Sequence, residues 1–98
     1  MSSLKEPLNQ AAAKRLVVAI LQNGILAFSK HAYEEMANDG MIENDVVNTL
    51  RAGSYRPAEL EHGSWRYRAE TSRFAAVVAF RREDHAVVVT AFKLKYRR

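Results

Sequence analysis

The hydrophobic residues change their spacing at Gly53, and this change limits the fold more than any other feature of the chain. Before Gly53 they recur every three or four positions, as on one face of a helix, and after it they alternate with polar residues, as in a half-buried strand. In a chain of 98 residues, this order predicts one α+β domain over 1–98. N-terminal helices would pack on a twisted antiparallel sheet of about four strands.

The punctuation of the sequence divides each half into elements. Pro7 suits the first turn of a helix and Asn23-Gly24 suits its end, which predicts an N-terminal extension helix within 1–22, over about 7–22. A strand at 25–29 and helices at 30–38 and 43–52 follow. After Gly53, Pro57 limits residues 54–61 to an edge or bent strand. Three longer strands then form a meander at 64–70, 73–82 and 86–96.

The same spacing predicts which side chains form the core. On the second helix, Ala32, Tyr33, Met36 and Ala37 are expected to point inward. The residues expected to be largely buried are Phe28, Met36, Val46, Leu50, Val78, Phe80, Val88 and Phe92.

Composition excludes several classes of protein. There is no cysteine, so disulfides and thiolate metal sites are absent. No run of 18 apolar residues predicts a membrane span, and MSSLKEPLNQ lacks the blocks of a signal peptide. We therefore expect a cytoplasmic protein without a membrane partner.

The charge is unevenly placed along the chain. Residues 1–50 hold 4 Lys/Arg and 6 Asp/Glu, whereas residues 51–98 hold 11 and 5. The second half is therefore basic, and aromatic residues such as Tyr67 and Phe92 are interleaved with its charges. This pattern is compatible with RNA or another polyanionic partner.

Strand alternation predicts where the basic residues of the sheet lie. Arg66 and Arg68 share a face of their strand. On the last strand, Lys93 and Lys95 share a face with Val87, Val89 and Ala91, and the other face carries Ala86, Val88, Thr90, Phe92 and Leu94. If the two basic faces coincide, they form a stripe that binds phosphate. The alternative is an ordinary solvated sheet face.

Metal and cofactor chemistry have little support in the sequence. His31, His62 and His85 are far apart and lack a metal-ligand spacing. A His31–Glu35 pair could in principle hold a metal, but a surface ion pair is the simpler interpretation. No glycine-rich phosphate loop or nucleophile motif is present, so we expect neither a cofactor nor a metal.

His31 is the residue with two readings. It stands at the start of the second predicted helix in FSKHAYEEM, where a histidine can hold the strand-to-helix corner by hydrogen bonds. The same residue can act as an acid or a base near neutral pH, and a nearby carboxylate at Glu34 or Glu35 would favour its charged form.

Two segments resemble the DUF4258 family. FSKHAYEEMANDGMIENDVVNTLRAG (28–53) is similar to its H-A-x-x-R-M-x-x-R-G-I…D-V…A-L-x-x-G pattern, and WRYRAE…FAAVVAF…HAVVVTAFK (65–93) is similar to its strand block. The resemblance covers residues 25–95. That family looks related to MqsR and RelE-like toxins, within the barnase, EndoU, colicin and RelE-like folds.

The resemblance implies metal-independent RNA cleavage on a RelE/MqsR-like fold. His31 matches the family histidine, Arg66 and Arg68 match its basic strand, and Thr90 and Lys93 match its last strand. The implied catalytic residues are His31, Arg66, Arg68 and Lys93, and the implied RNA-binding residues are Thr90, Lys95 and Tyr67.

One departure from the family pattern leaves two functions open. Glu35 and Asp39 stand where the family often has arginines. The first hypothesis is a ribonuclease-type toxin of a toxin–antitoxin or effector–immunity system, with an antitoxin or immunity protein as partner. The alternative is a non-catalytic protein-interaction module on the same fold.

Overall fold

The computed structural model describes residues 4–95 of the chain. Its helices are α1 (Gln10–Asn23), α2 (Lys30–Asn38) and α3 (Glu43–Ala52). Its strands are β1 (Ile25–Phe28), β2 (Ser54–Tyr55), β3 (Glu59–Glu61), β4 (Ser64–Glu70), β5 (Phe74–Arg82) and β6 (His85–Lys93). The α+β class and the N-terminal position of the helices are therefore confirmed.

Three of the differences from the predicted boundaries are larger than one residue. Helix α1 begins after Asn9 rather than at Pro7, because the Asn9 side chain accepts the Ala12 N–H at 2.8 Å and caps the helix. The strand predicted at 54–61 is split into β2 and β3, with Pro57 between them. Strand β6 ends at Lys93, and Tyr96 of the predicted strand lies outside the described residues.

The sheet has six strands rather than about four. Its order is β1-β6-β5-β4-β2, with β3 also paired to β4. All pairings are antiparallel except that of β1, which runs parallel to β6. Strand β1 precedes the meander in the chain and joins the sheet at the edge beyond β6.

The helices cover one face of this sheet and form the core with it. Helix α1 buries Ala13, Val17 and Ile20, so the extension helix packs on the same domain. The fully buried sheet residues on this face include Tyr67 and Ala69 on β4, Ala76 and Val78 on β5, and Val88 and Ala91 on β6.

Five of the predicted core residues are buried, and three require a correction. Phe28 and Phe80 are partly buried and pack against the core. Phe92 is partly buried on the opposite face of the sheet, beneath Arg68. On α2, Ala37 is exposed, and Tyr33 is 47% exposed because its ring stacks on Phe28 rather than entering the core.

Gly53 stands where the helical half meets the strand half, and the packing there requires a glycine. An added Cβ would lie 2.5 Å from the Thr49 carbonyl oxygen and 2.8 Å from that of Glu70. Both neighbours are backbone atoms that cannot turn away. The end of α3 therefore approaches β4 more closely than any side chain would allow.

Replacing Val78 with aspartate should unfold the domain. Val78 is fully buried, and an unpaired carboxylate there would cost several kcal/mol of the roughly 5–15 kcal/mol that stabilise a typical domain. Leu60→Asp is the control, because Leu60 is 58% exposed on β3. Thermal melts followed by circular dichroism should show loss of cooperative unfolding for Val78→Asp alone. A cooperative Val78→Asp melt near that of wild type would contradict the assigned core.

Candidate functional site

The sheet face that carries no helix holds the basic residues of β4. Residues on β4 alternate, so Tyr67 and Ala69 enter the core and Arg66 and Arg68 lie on the opposite face, as the sequence predicted. We call this opposite face the open face. It brings Arg66 and Arg68 next to residues of β5 and β6.

A β-bulge in β6 decides which residues of the last strand join them. Val77 pairs with Thr90 but the next residue, Val78, pairs with Val88, so Val89 has no partner on β5. The extra residue reverses the alternation beyond it. Thr90 and Phe92 therefore lie on the open face, and the face assignment made from simple alternation is wrong from residue 90 onward.

The predicted stripe of Arg66, Arg68, Lys93 and Lys95 is consequently not formed. Lys93 pairs with Phe74 at the end of β6, its backbone N–H donates to Asp39 Oδ2 at 2.8 Å, and its side chain is exposed. Lys95 follows the strand and is exposed. Neither lysine lines the hollows that Arg66 lines.

Tyr67 was predicted to bind RNA, but its side chain lies in the core and not at the surface. Its side chain is fully buried, its hydroxyl donates to Glu6 Oε2 at 2.9 Å and accepts the Leu8 N–H at 3.0 Å. Burial raises the pKa of Tyr67 to about 12, with the Glu6 carboxylate adding to the shift. Tyr67 holds the N-terminal segment on the sheet, and its ring is not available to stack on a nucleotide base of RNA.

Two hollows on the open face meet at Arg66. The mixed-charge hollow, of about 310 Å³, is lined by Arg56, Pro57, Glu59, Glu61, Arg66, Arg68, Val77, Thr90 and Phe92. The arginine hollow, of about 340 Å³, is lined by Ser64, Arg66, Ala79, Phe80, Arg81, Val87 and Val89. Both volumes fall at the small end of ligand sites, which span about 300–1,000 Å³.

Two of the three arginines that line the mixed-charge hollow are paired with Glu70. Glu70 accepts hydrogen bonds from Arg56 Nε and a terminal nitrogen, both at 3.1 Å, and forms an ion pair with Arg68. The Arg68 guanidinium also lies 5.1 Å from the centre of the Phe92 ring. Its Nε contacts Glu70 without hydrogen-bond geometry, so that N–H is unsatisfied even though the charge is paired.

Arg66 differs from its neighbours because nothing in the described part of the chain pairs with it. Its side chain is partly buried, its Nε is shielded from solvent, and among residues 4–95 it makes no hydrogen bond or ion pair, although it stands opposite Glu59 in the β3–β4 register. A buried, unsatisfied N–H costs about 1–3 kcal/mol and requires an explanation. An anion in the hollow would satisfy it.

Arg81 is the residue that sequence reasoning missed. It is exposed, and within residues 4–95 no ion pair engages it, whereas Arg82 pairs with Asp84 at 3.4 Å. It lines the arginine hollow with Arg66. The register shift between Phe80 and Arg82 gives Arg81 no partner on β6. Strand alternation was the signal that could have found Arg81, because it has the same parity on β5 as Ala79, which also lines this hollow.

His31 lies apart from these hollows. Ser29 caps α2 by accepting the Ala32 N–H at 3.0 Å and donates to the Val89 carbonyl at 2.9 Å, which places the start of α2 beside β6. The His31 side chain is exposed, lines neither hollow, and makes no hydrogen bond or ion pair within residues 4–95, with Glu34 and Glu35 included. The predicted surface pair with Glu35 is therefore not formed.

Two further findings concern metals and membranes. In residues 4–95, no three His, Asp or Glu side chains come together as a metal site. Over the same range, no helix has the length and hydropathy to cross a bilayer.

The comparisons with known proteins give one match. The sequence model of DUF4258, a domain of unknown function, matches residues 28–93, which is more than half of the chain and includes α2 and every later element. No curated protein and no solved structure matches.

The Glu70 carboxylate should make stability depend on pH. Hydrogen bonds from Arg56, and then the Arg68 charge, hold its pKa below the usual 4.5. A carboxyl whose pKa is lowered on folding stabilises the fold above its ordinary pKa, and this stabilisation is lost as the pH falls through the lowered value. Glu70→Gln should therefore melt below wild type at neutral pH and approach it in acid.

Thermal melts of both proteins across this pH range test the prediction. Glu34→Gln is the control, because within residues 4–95 the exposed Glu34 carboxylate has no ion pair. Its difference from wild type should stay small at every pH. A Glu70→Gln difference that is constant with pH would contradict the argument.

Proposed function

The chain belongs to the DUF4258 family, a domain of unknown function, and we propose that it is a metal-independent ribonuclease-type toxin that holds RNA on its open face. In this proposal it is kept inactive by an antitoxin or immunity protein and is related to MqsR and RelE-like toxins. The observation that supports the proposal most is the unpaired guanidinium of Arg66 beside Arg81.

The arginine hollow is suited to a phosphate group. Arg66 and Arg81 contribute two positive charges and Ser64 a hydroxyl, and no carboxylate lines it. Guanidinium groups bind phosphate oxygens through paired N–H donors, and these bonds are stronger than those between neutral groups. A phosphate of the RNA backbone here would accept a hydrogen bond from the Arg66 Nε–H. The adjacent nucleotides of the RNA would then be free to enter the mixed-charge hollow.

The mixed-charge hollow supplies groups for proton transfer. RNA cleavage without a metal requires a base that takes the 2′-hydroxyl proton, so that the 2′-oxygen can attack phosphorus. It also requires a cation beside the pentacoordinate phosphate and an acid that protonates the leaving 5′-oxygen. Glu59 or Glu61 would be the base, Arg66 the stabilising cation, and Thr90 a hydrogen-bonding group on the RNA.

His31 remains the candidate for the acid that protonates the leaving 5′-oxygen. A histidine is half-protonated near neutral pH and can give up a proton. Because His31 is exposed at the start of α2 and lines neither hollow, it would reach only an RNA that extends over β6. His31→Ala should then slow cleavage and leave RNA affinity unchanged.

Removing Arg66 or Arg81 should weaken RNA binding and cleavage without unfolding the protein. We expect Arg66→Ala and Arg81→Ala each to lower the slope of log affinity against log salt by about one. Arg66→Ala should also slow cleavage by about two orders of magnitude. Arg82→Ala is the matched control, because its side chain is already paired with Asp84.

The measurement is single-turnover cleavage of a labelled RNA, with and without chelator, beside a salt titration of binding and a thermal melt. Cleavage should be insensitive to the chelator. If wild type cuts no RNA under either condition and its expression does not arrest growth, the ribonuclease proposal fails. Equal losses of RNA affinity in Arg81→Ala and Arg82→Ala would contradict the arginine hollow as the RNA-binding site.

The carboxylates give a test in which binding and catalysis change in opposite directions. Glu59→Gln and Glu61→Gln remove a charge that repels phosphate, so RNA affinity should rise in both. The one that serves as the base should lose cleavage by about 10²–10⁴-fold. Full cleavage activity in both variants and in the double variant would contradict a carboxylate base.

One observation favours the interaction module as a second candidate. On α2, Glu34 is exposed and, within residues 4–95, neither Glu34 nor Glu35 has an ion pair. These free carboxylates could dock a basic partner protein. A partner that binds wild type and Arg66→Ala equally, but not Glu34→Lys, would support this candidate over the ribonuclease.

A further inference from the structure

The two edges of the sheet are protected to very different extents. At the β4 edge, β2 and β3 have two and three residues, Pro57 lies between them, and Glu59 and Glu61 add charge. Short strands, proline and charge are the devices by which proteins prevent pairing with another chain. The opposite edge is β1, whose sequence ILAF contains none of them.

The outer side of β1 carries backbone groups without partners. The Ile25 N–H donates to the Asp84 carbonyl at 2.9 Å and the Ser29 N–H to the Val88 carbonyl at 3.0 Å, both toward β6. Strand alternation therefore turns the N–H and C=O of Leu26 and Phe28 away from β6. Within residues 4–95, none of these four groups has a hydrogen-bond partner.

Beyond β1, the same side of the sheet is already closed. Helix α2 runs beside the rest of β6, where Ser29 Oγ donates to the Val89 carbonyl and Asp39 Oδ2 accepts the Lys93 N–H. The unpaired segment is thus limited to one short strand.

Exposed apolar side chains flank this strand. Ile25 is 55% exposed on its open-face side, and Tyr33, 47% exposed, stacks on Phe28 with ring centres 5.2 Å apart on the other side. They are two of the four large hydrophobic residues exposed within the described chain. Apolar side chains on both sides of an unpaired strand are typical of a strand-addition site.

The charges at the two ends of β1 indicate what occupies the site. The acidic turn residues Glu83 and Asp84 lie beside its beginning, where the Asp84 carbonyl accepts the Ile25 N–H. Arg82 pairs with Asp84, whereas Glu83 has no ion pair within residues 4–95. The basic residue Lys30 lies just after the end of β1 and is exposed.

We propose that the β1 edge pairs antiparallel with the β1 edge of a second copy of this chain. The two-fold axis would pass at Ala27, so that Leu26 of each copy exchanges both backbone hydrogen bonds with Phe28 of the other. This register satisfies all four free groups on each chain. It brings the small Ala27 side chains together at a closely spaced pair and sets Glu83 of each copy near Lys30 of the other.

The interface is small, so the dimer should dissociate on dilution. Sedimentation equilibrium of the full chain over a wide concentration range should show a mass rising from 11.1 kDa toward twice that value. Ile25→Lys should keep the chain monomeric, since it adds a charge to the edge. Leu60→Lys, at an equally exposed residue on β3, should leave dimerisation unchanged.

Reversing the charges of Glu83 and Lys30 distinguishes dimerisation through β1 from dimerisation through another surface. This test does not depend on whether Ile25→Lys folds. Glu83→Lys and Lys30→Glu should each weaken the dimer severalfold, because each contact occurs twice, and the double variant should restore it. The proposal would be overturned by a wild-type chain that is monomeric at millimolar concentration, or by a dimer that tolerates Ile25→Lys with an unchanged melt. It would also be overturned if Ile25→Lys and Leu60→Lys weakened the dimer equally, or if the Glu83→Lys, Lys30→Glu double variant did not recover dimerisation.

Discussion

The bulge at Val89 is the constraint on which the arrangement of the open face depends. By inserting one unpaired residue, β6 keeps Val88 and Ala91 in the core while Thr90 and Phe92 turn to the open face. Phe92 then lies under the Arg68 guanidinium, and Thr90 lines the mixed-charge hollow with both arginines of β4. Without the bulge, Phe92 would enter the core and Lys93 would lie on the open face.

The same strand end also fixes the position of α2. Ser29, at the start of the helix, donates to the Val89 carbonyl at the bulge, and Asp39, just after the helix, accepts the Lys93 N–H at the end of the strand. Asp39 therefore has a structural reason to be acidic where related sequences often carry a basic residue. The acidic character of α2 does not by itself argue against RNA on the opposite face, because Asp39 is engaged with β6 and the arginines lie on β4 and β5.

Pairing and burial together distinguish Arg66 from the other arginines of the open face. Glu70 holds Arg56 and Arg68, and Asp84 holds Arg82. Arg66 is left with a shielded, unsatisfied N–H between two hollows. Net charge alone could not have singled it out, since eleven basic residues follow position 50.

Most of the fold could be predicted from the sequence, because periodicity, caps and turn residues are local signals. The bounds of α2 and α3 and the faces of β4 follow from them directly. The parallel partner of β1 could not be predicted, since pairing between distant strands leaves no local signal. The bulge in β6 had no signal either, and one unmarked residue was enough to move Lys93 away from the site. Arg81 is different, because alternation along β5 already places it on the face of Ala79. Tyr67 shows the opposite case: an aromatic residue between arginines resembles a binding residue, but strand alternation alone assigns it to the core.

The central claim is that the Arg66 guanidinium binds an RNA phosphate. Its most direct test is the side-chain Nε–H resonance of Arg66, followed by NMR while a short RNA with methylated 2′-hydroxyls is added, so that no cleavage occurs. The account predicts a saturable shift of the Arg66 resonance that is reversed by salt and accompanied by a shift of Arg81, with Arg82 unchanged. A saturated complex in which the Arg66 resonance does not move would contradict it.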